Sequence, residues 1–195
     1  MDELVARVGK AQESNEVVSI ACIGNVVDVW ERFDEENIFI HIGSDQTSLH
    51  IPWTGGYYPV DTTYDESNRL IREEPELFKE KVQATLRRHA ASVNNNTAKG
   101  TYFFDYGNAF LLEASRAGAD IMAENGIDFR YKSYVQDILG PMCFDYGFGP
   151  FRWVCASGKA EDLDQTDEIA MNVLQEIMES SPEEIQLQMQ DNITW

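Results

Sequence analysis

At 195 residues the chain fits one domain, or one domain with an appendage, and is long enough to bury a sizeable core. Its 34 acidic residues against 15 basic ones leave a net charge of −19, which argues against nucleic acid and anionic membrane surfaces as partners, since both demand clustered Lys and Arg. No run approaches the roughly 18 continuous apolar residues of a membrane span.

The imbalance is uneven, for no Lys or Arg follows Lys159. That end reads as a solvated acidic face on helices, with cover by a basic partner as the alternative. Cys22, Cys143 and Cys155 follow no CxxC spacing and the three histidines are scattered, so no zinc site is expected and the setting reads as reduced and cytoplasmic. No basic n-region precedes the first apolar run, so no signal peptide is visible.

Taken in order, residues 2–14 are expected to be helical, with Leu4, Val5, Val8 and Ala11 at helix spacing. Val17 to Ile23 is almost continuously apolar and predicts a strand buried on both faces. Gly24-Asn25 breaks it, Val26 to Phe33 reads as a short helix, and Phe39 to Gly43 as the next strand. This alternation is the rhythm of a parallel α/β sheet. Asp45-Gln46-Thr47-Ser48-Leu49-His50 then leads into Gly55-Gly56-Tyr57-Tyr58-Pro59. A loop so crowded with hydrogen-bonding side chains, at a strand end, reads as a ligand site.

Thr63 and Glu66 form a capping box for a helix over 65–73, and Pro75 opens a second one at a favoured first-turn position. Phe78, Val82 and Leu86 give that helix an apolar stripe, and Asn94-Asn95-Asn96 is expected to end it. Thr101 to Phe104 is the third strand. Asn108 suits the cap of a helix over 109–117, which Gly118 closes. An extended piece surrounds Phe129-Arg130-Tyr131, Val135 to Leu139 is weakly helical, and a loop over 140–153 rich in Gly and aromatics precedes two acidic helices. The second of these opens with Ser181-Pro182-Glu183-Glu184. Both ends of the chain read as cut.

Neither GxGxxG between a strand and a helix nor GxxxxGK[ST] occurs, so phosphate binding does not follow from local motifs. Gly147-Phe148-Gly149-Pro150 cannot substitute, because Pro and the following Phe-Arg-Trp do not open a helix. Asn25 and Tyr106 stand at strand ends, where a ligand contact and a structural role are both open. His50 is open to acid, base or donor work, or to bracing its loop. His41 and His89 read as structural. Asp105 and Asp145 are candidates for a carboxylate pair, and Cys143 for a nucleophile with no base tied to it.

Asp45 to His50, Gly56-Tyr57-Tyr58-Pro59, Phe104-Asp105-Tyr106-Gly107-Asn108 and Gly149-Pro150-Phe151-Arg152-Trp153 together resemble the ordered motifs of the urocanate hydratase (urocanase) family. Gly24-Asn25 and Ser157-Gly158 followed by Glu161-Asp162-Leu163 fit as well, so the resemblance runs from about residue 2 to 167. It implies an α/β fold with a Rossmann-like parallel sheet flanked by helices, and acidic helices at the C-terminal end. It also implies a parent enzyme of histidine degradation that adds water to urocanate, giving 4-imidazolone-5-propanoate. Such enzymes hold NAD⁺ tightly as an electrophile rather than a hydride carrier.

Carried over by position, the family's cofactor contacts fall on Asn25, Val26, Gln46, Thr47, Ser48, Leu49, His50, Tyr57, Tyr58 and Tyr106. Where bacterial members carry a reactive cysteine this chain has Asp145, with Cys143 two residues earlier, and these two are the catalytic candidates. The family's glycine-rich loop belongs upstream of residue 1. Residues 1–160 are therefore expected to form a partial Rossmann-like NAD-binding domain from the centre of the parent. Residues 161–195 are expected to be a helical segment leading into its core, with the chain alone inactive. The parent is expected to be a cytoplasmic homodimer. The rivals are a conventional NAD-dependent dehydrogenase domain, and a non-catalytic interaction or dimerisation module built on the aromatic loops 53–58 and 146–153.

Overall fold

A computed structural model describes residues 1–146 and 155–194. The chain divides into two compact units, Met1–Ser133 and Tyr134–Trp195.

The first unit is built on two short strands, β1 (Ile42–Asp45) and β2 (Tyr102–Asp105), paired in parallel with Ile42 opposite Tyr102 and Asp45 opposite Asp105. A parallel pair needs a long crossover. Two helices supply it, α3 (Tyr64–Glu73) and α4 (Pro75–Ala98). Before β1 come α1 (Asp2–Ser14) and α2 (Val26–Glu35), and after β2 comes α5 (Phe110–Arg116). The result is the small parallel sheet flanked by helices that the strand-helix rhythm predicts.

The core forms where α4 lies against the sheet. Phe78, Val82, Leu86, Ala90 and Val93 recur every three or four residues along α4 and all are fully buried. Trp30 of α2 meets Phe103 of β2 edge-on at 6.1 Å, and Phe103 in turn meets Phe110 and Tyr131. Gly43 is the residue that lets Trp30 in: a Cβ there would stand 3.0 Å from the indole Cζ2 and closer still to Cη2. Thr63 caps α3 as its sequence predicts, accepting from the Glu66 amide at 3.1 Å.

Three expectations need correction. Val17 to Ile23 forms no strand, and Val17 and Ile23 are fully exposed. A strand apolar on both faces needs a hydrogen-bonding neighbour and cover on each side, and no such neighbour stands beside it among the described residues. β1 begins at Ile42 rather than Phe39, because its ladder to β2 starts only there, just after the Tyr102 amide donates to the His41 carbonyl. α4 runs through Asn94-Asn95-Asn96 to Ala98. The three amides do not end it because each finds an acceptor within reach: the Asp120 carbonyl, the Asp34 carboxylate, and for Asn96 the Ser92 and Trp30 carbonyls. The extended piece near 129–131 is present, held by the Arg130 amide on the Ile121 carbonyl and a bridge from Met122 to Phe129.

In the second unit Val135–Leu139 forms a π-helical turn, followed by α6 (Gly140–Met142) and a 3₁₀ turn at Phe144–Tyr146. Residues 140–146 are thus helical turns rather than open loop. Gly147 to Val154, including the Gly-x-Gly-Pro-Phe-Arg-Trp motif, lie outside the described residues. The two acidic helices are α7 (Ala160–Ser180) and α8 (Glu183–Thr194), packed on each other with Met189 buried. No helix among the described residues is long and apolar enough to cross a membrane.

Candidate functional site

The C-terminal ends of parallel strands are where α/β sheets place ligands, and here both strands end in a carboxylate. Asp45 is 1% exposed. Its Oδ1 accepts from the Thr47 amide at 3.1 Å, the Thr47 hydroxyl at 2.6 Å and the Asn108 side-chain amide at 2.9 Å. The first two bonds form a turn that folds the chain sharply off β1. The third ties it to the loop after β2, where Asn108 Nδ2 also donates to the Thr47 carbonyl. Asn108 is thus a bridge between loops, its Oδ1 still accepts from the Phe110 amide that opens α5 at 3.4 Å, and Ala109 between them is held at φ +72°. Alanine adopts that left-handed conformation at a cost of about 1 kcal/mol.

Leu49 is fully buried and anchors the far end of the turn in the core. The next loop presses against it: the Gly56 amide donates to the Ile51 carbonyl, and a Cβ on Gly56 would stand 2.5 Å from that oxygen and closer still to the carbonyl oxygen of Ser48. Asn25 joins a third segment, its Oδ1 accepting from the Val27 amide and its Nδ2 donating to the Tyr58 carbonyl, both at 3.0 Å. It is both helix cap and strap. Asn25→Ala is expected to cost about 1–2 kcal/mol in urea denaturation, with Asn25→Asp recovering the capping part alone. Equal stability of all three proteins would dismiss the strap.

Between these segments opens a cavity of about 250 Å³ lined by Gly24, Asn25, Val26, Thr47, Ser48, Gly56, Tyr57 and Tyr58. Six of the ten expected cofactor residues meet there. The other four are arranged differently: Gln46 and His50 are exposed on the same turn, Leu49 is fully buried and does not line the cavity, and Tyr106 is half-exposed just past β2. At this volume the cavity is smaller than a pocket that encloses a drug-sized ligand, so it has the dimensions of one side of a site. Its lining is hydroxyls, amide groups and tyrosine rings, a set able to hydrogen-bond ribose and phosphate oxygens and to face a planar ring.

Cys143 and Asp145 belong to the second unit, Cys143 half-buried after α6 with its amide on the Leu139 carbonyl, and Asp145 exposed. Asp105, weighed in the sequence as a partner for Asp145, has Asp45 as its neighbour in register. Burial raises the pKa of Asp105, the Gly107 amide on its Oδ2 at 3.2 Å counters this, and the charge of Asp45 adds to the rise. Among the described residues no group of three or more His, Cys, Asp or Glu could hold a metal ion.

The structure adds a residue to the site that sequence reading leaves as structural. His89 is fully buried beneath the cavity, with Nδ1 3.1 Å from the Tyr57 hydroxyl and Nε2 3.7 Å from Asp45 Oδ2. Burial pushes its pKa down to about 4, outweighing the opposing pull of Asp45 and Glu31, so the imidazole is neutral at pH 7. Burial and Asp45 push the Tyr57 phenol well above its ordinary value, so it keeps its proton. The available signal was helical spacing: His89 lies three residues after Leu86 and four before Val93, on the apolar stripe of α4.

Strand, crossover helices, parallel strand and a polar cleft at the strand ends define a Rossmann-like α/β domain. The chain belongs to the urocanase family: residues 1–138 match the Urocanase Rossmann-like domain, and residues 141–195 match the Urocanase C-terminal domain. It is 50% identical over 200 residues to a probable urocanate hydratase of Dictyostelium discoideum, and 48% identical over 200 residues to one of Caenorhabditis elegans. To the urocanate hydratase of Mus musculus it is 47% identical over 203 residues. Each alignment covers 100% of this chain and 30% of the relative, so the chain spans less than a third of the length of these proteins.

Proposed function

We propose that this chain is part of a urocanate hydratase and forms one side of its NAD⁺ site. The observation that carries the reading is the cleft at the ends of β1 and β2, where Asn25, Val26, Thr47, Ser48, Tyr57 and Tyr58 converge. The donor set fits the cofactor. Ser48 offers a hydroxyl to ribose and phosphate oxygens, Thr47, whose hydroxyl proton goes to Asp45, can accept from a ribose hydroxyl, Gln46 and His50 stand on the same turn to extend that contact, and Tyr58 and Tyr106 offer ring faces. NAD⁺, when bound, supplies the electrophile of the hydration. This chain's residues bind and orient it. Tyr57 and Leu49, buried beneath, keep water from that side, and Asp145 and Cys143 are the catalytic candidates of the complete enzyme, with Asp145 the group that would support proton transfer.

The net charge of −19 supports a site completed from elsewhere. Cofactor phosphates and the urocanate carboxylate need cationic groups that this chain mostly lacks. The isolated chain is therefore inactive, and cytoplasmic residence and homodimerisation belong to the parent. The test is a calorimetric titration of the 195-residue chain with NAD⁺. Saturable binding, weakened about fivefold or more by Gln46→Ala, is expected, together with unchanged urocanate absorbance on incubation with the chain and NAD⁺. Absence of binding at millimolar NAD⁺ would overturn the half-site. Consumption of urocanate would overturn the inactivity.

A further inference from the structure

We propose that His89 is a positioning residue of the cleft, holding the turn after β1 and the loop at 56–58 at a fixed separation through Asp45 and Tyr57. The proposal deepens the cofactor reading above and rests on it only for the ligand that it names.

Three segments distant in sequence meet on one imidazole. α4, at 24 residues the longest helix among the described residues, presents His89 from the core side. The ring packs against Phe110 of α5 at 4.5 Å and lies nearly parallel to Tyr57, 6.3 Å away at 14°. Its two nitrogens face different loops, and the chemistry decides which carries the proton. Were Nδ1 protonated, the bare lone pair of Nε2 would confront the Asp45 carboxylate. With Tyr57 O–H donating to Nδ1, the proton sits on Nε2 and points at Asp45 Oδ2. Neither Nε2 nor Oδ2 has another partner among the described residues. At 3.7 Å the contact is electrostatic rather than a close hydrogen bond.

Asp45 uses its other oxygen on Thr47 and Asn108, so the carboxylate is held from both sides. The imidazole does not line the cavity. Thr47 and Ser48 on one wall, and Gly56, Tyr57 and Tyr58 on the other, do. His89 therefore acts through them. Slippage would break the buried Tyr57–His89 and Asn108–Asp45 hydrogen bonds and draw Nε2 further from the Asp45 charge, so the cluster specifies one arrangement of the segments it joins. An apolar residue at position 89 would fill the core equally well but would impose no such separation.

The experiment compares the 195-residue chain with its His89→Leu, His89→Gln and Tyr57→Phe variants by amide hydrogen exchange and NAD⁺ titration. Exchange over residues 46–58 is expected to be about tenfold faster in His89→Leu and Tyr57→Phe, with β2 protected as in the parent chain. NAD⁺ affinity is expected to fall about fivefold or more in both. His89→Gln, which keeps a polar group between the loops, is expected to recover most of both losses. A folded His89→Leu protein with unchanged exchange over 46–58 would overturn the proposal. Should His89→Leu not fold, Tyr57→Phe, which removes a single hydroxyl, decides by the same readout. Exchange changes in the variants, with no NAD⁺ binding by the unsubstituted chain, would support the positioning role while overturning the cofactor reading. NAD⁺ binding that is indifferent to all three variants would overturn the role of His89 and leave the cofactor reading intact.

Discussion

Gly56→Ala is expected to destabilise the first unit by about 3 kcal/mol and to abolish ligand binding at the cleft. The alanine Cβ would stand 2.5 Å from the Ile51 carbonyl oxygen, 3.0 Å from the Ile51 carbonyl carbon, and nearer still to the Ser48 carbonyl oxygen. All three are backbone atoms, so no side-chain rotation relieves the overlap. One loop must move, and neither is free to. The turn carrying Ser48 is fixed by Asp45 at one end and by fully buried Leu49 at the other, while Tyr58 on the far side of Gly56 is strapped to Asn25. Gly55 makes the control. Its φ of +100° disfavours a side chain, yet a Cβ there meets only ordinary contacts with Tyr58 and Ile71 at 3.6 and 3.7 Å. Gly55→Ala should therefore cost only about 1–2 kcal/mol. Urea denaturation of the two variants tests this ordering, and a Gly56→Ala protein as stable as Gly55→Ala would mean that the loops are not pressed together as described.

Much of what surrounds these glycines is legible in the sequence, for local reasons. The Thr63 cap, the Phe78-Val82-Leu86 stripe and the polar strand end at 45–50 all involve residues a few positions apart, and local pattern reports them well. The ordered motifs are local too, and they carry the family without any knowledge of contacts. Two things are not legible. Whether Val17 to Ile23 is a strand depends on what lies beside it, and an apolar run says nothing of that. The link among Asp45, Tyr57, His89 and Asn108 joins four positions spread over more than sixty residues. Each looks ordinary where it stands, with His89 among arginines and Asn108 beside a helix start. Only the packing of α4 across the sheet makes them neighbours. The cleft can thus be anticipated from its rim, while its foundation cannot.

That foundation has a consequence in acid. The first unit is expected to lose stability as the pH falls from about 6.5 towards 4, with His89 contributing on the order of 3 kcal/mol across the window. In the unfolded chain the imidazole takes up a proton near its ordinary value of 6.5, whereas in the folded protein burial delays this to about 4. Between those values the unfolded state binds more protons, so the stability that is complete above pH 6.5 drains away as the pH drops. Asp105 works in the opposite sense. Its folded pKa is raised, so its contribution to stability is present in acid and is lost as the pH rises through that value. It offsets part of the loss, and near the sequence pI of about 4.3 the net charge also approaches zero and favours association. Measurements between pH 7.5 and 5 avoid that region and should still register about 2 kcal/mol of the decline. Urea denaturation at half-unit intervals on the parent chain and on His89→Gln separates this source from the rest. The variant carries no imidazole at position 89, so its stability should be nearly flat over the same range. Parallel curves for the two proteins would assign the acid sensitivity to other groups and would mean that His89 is not held neutral beneath the cleft.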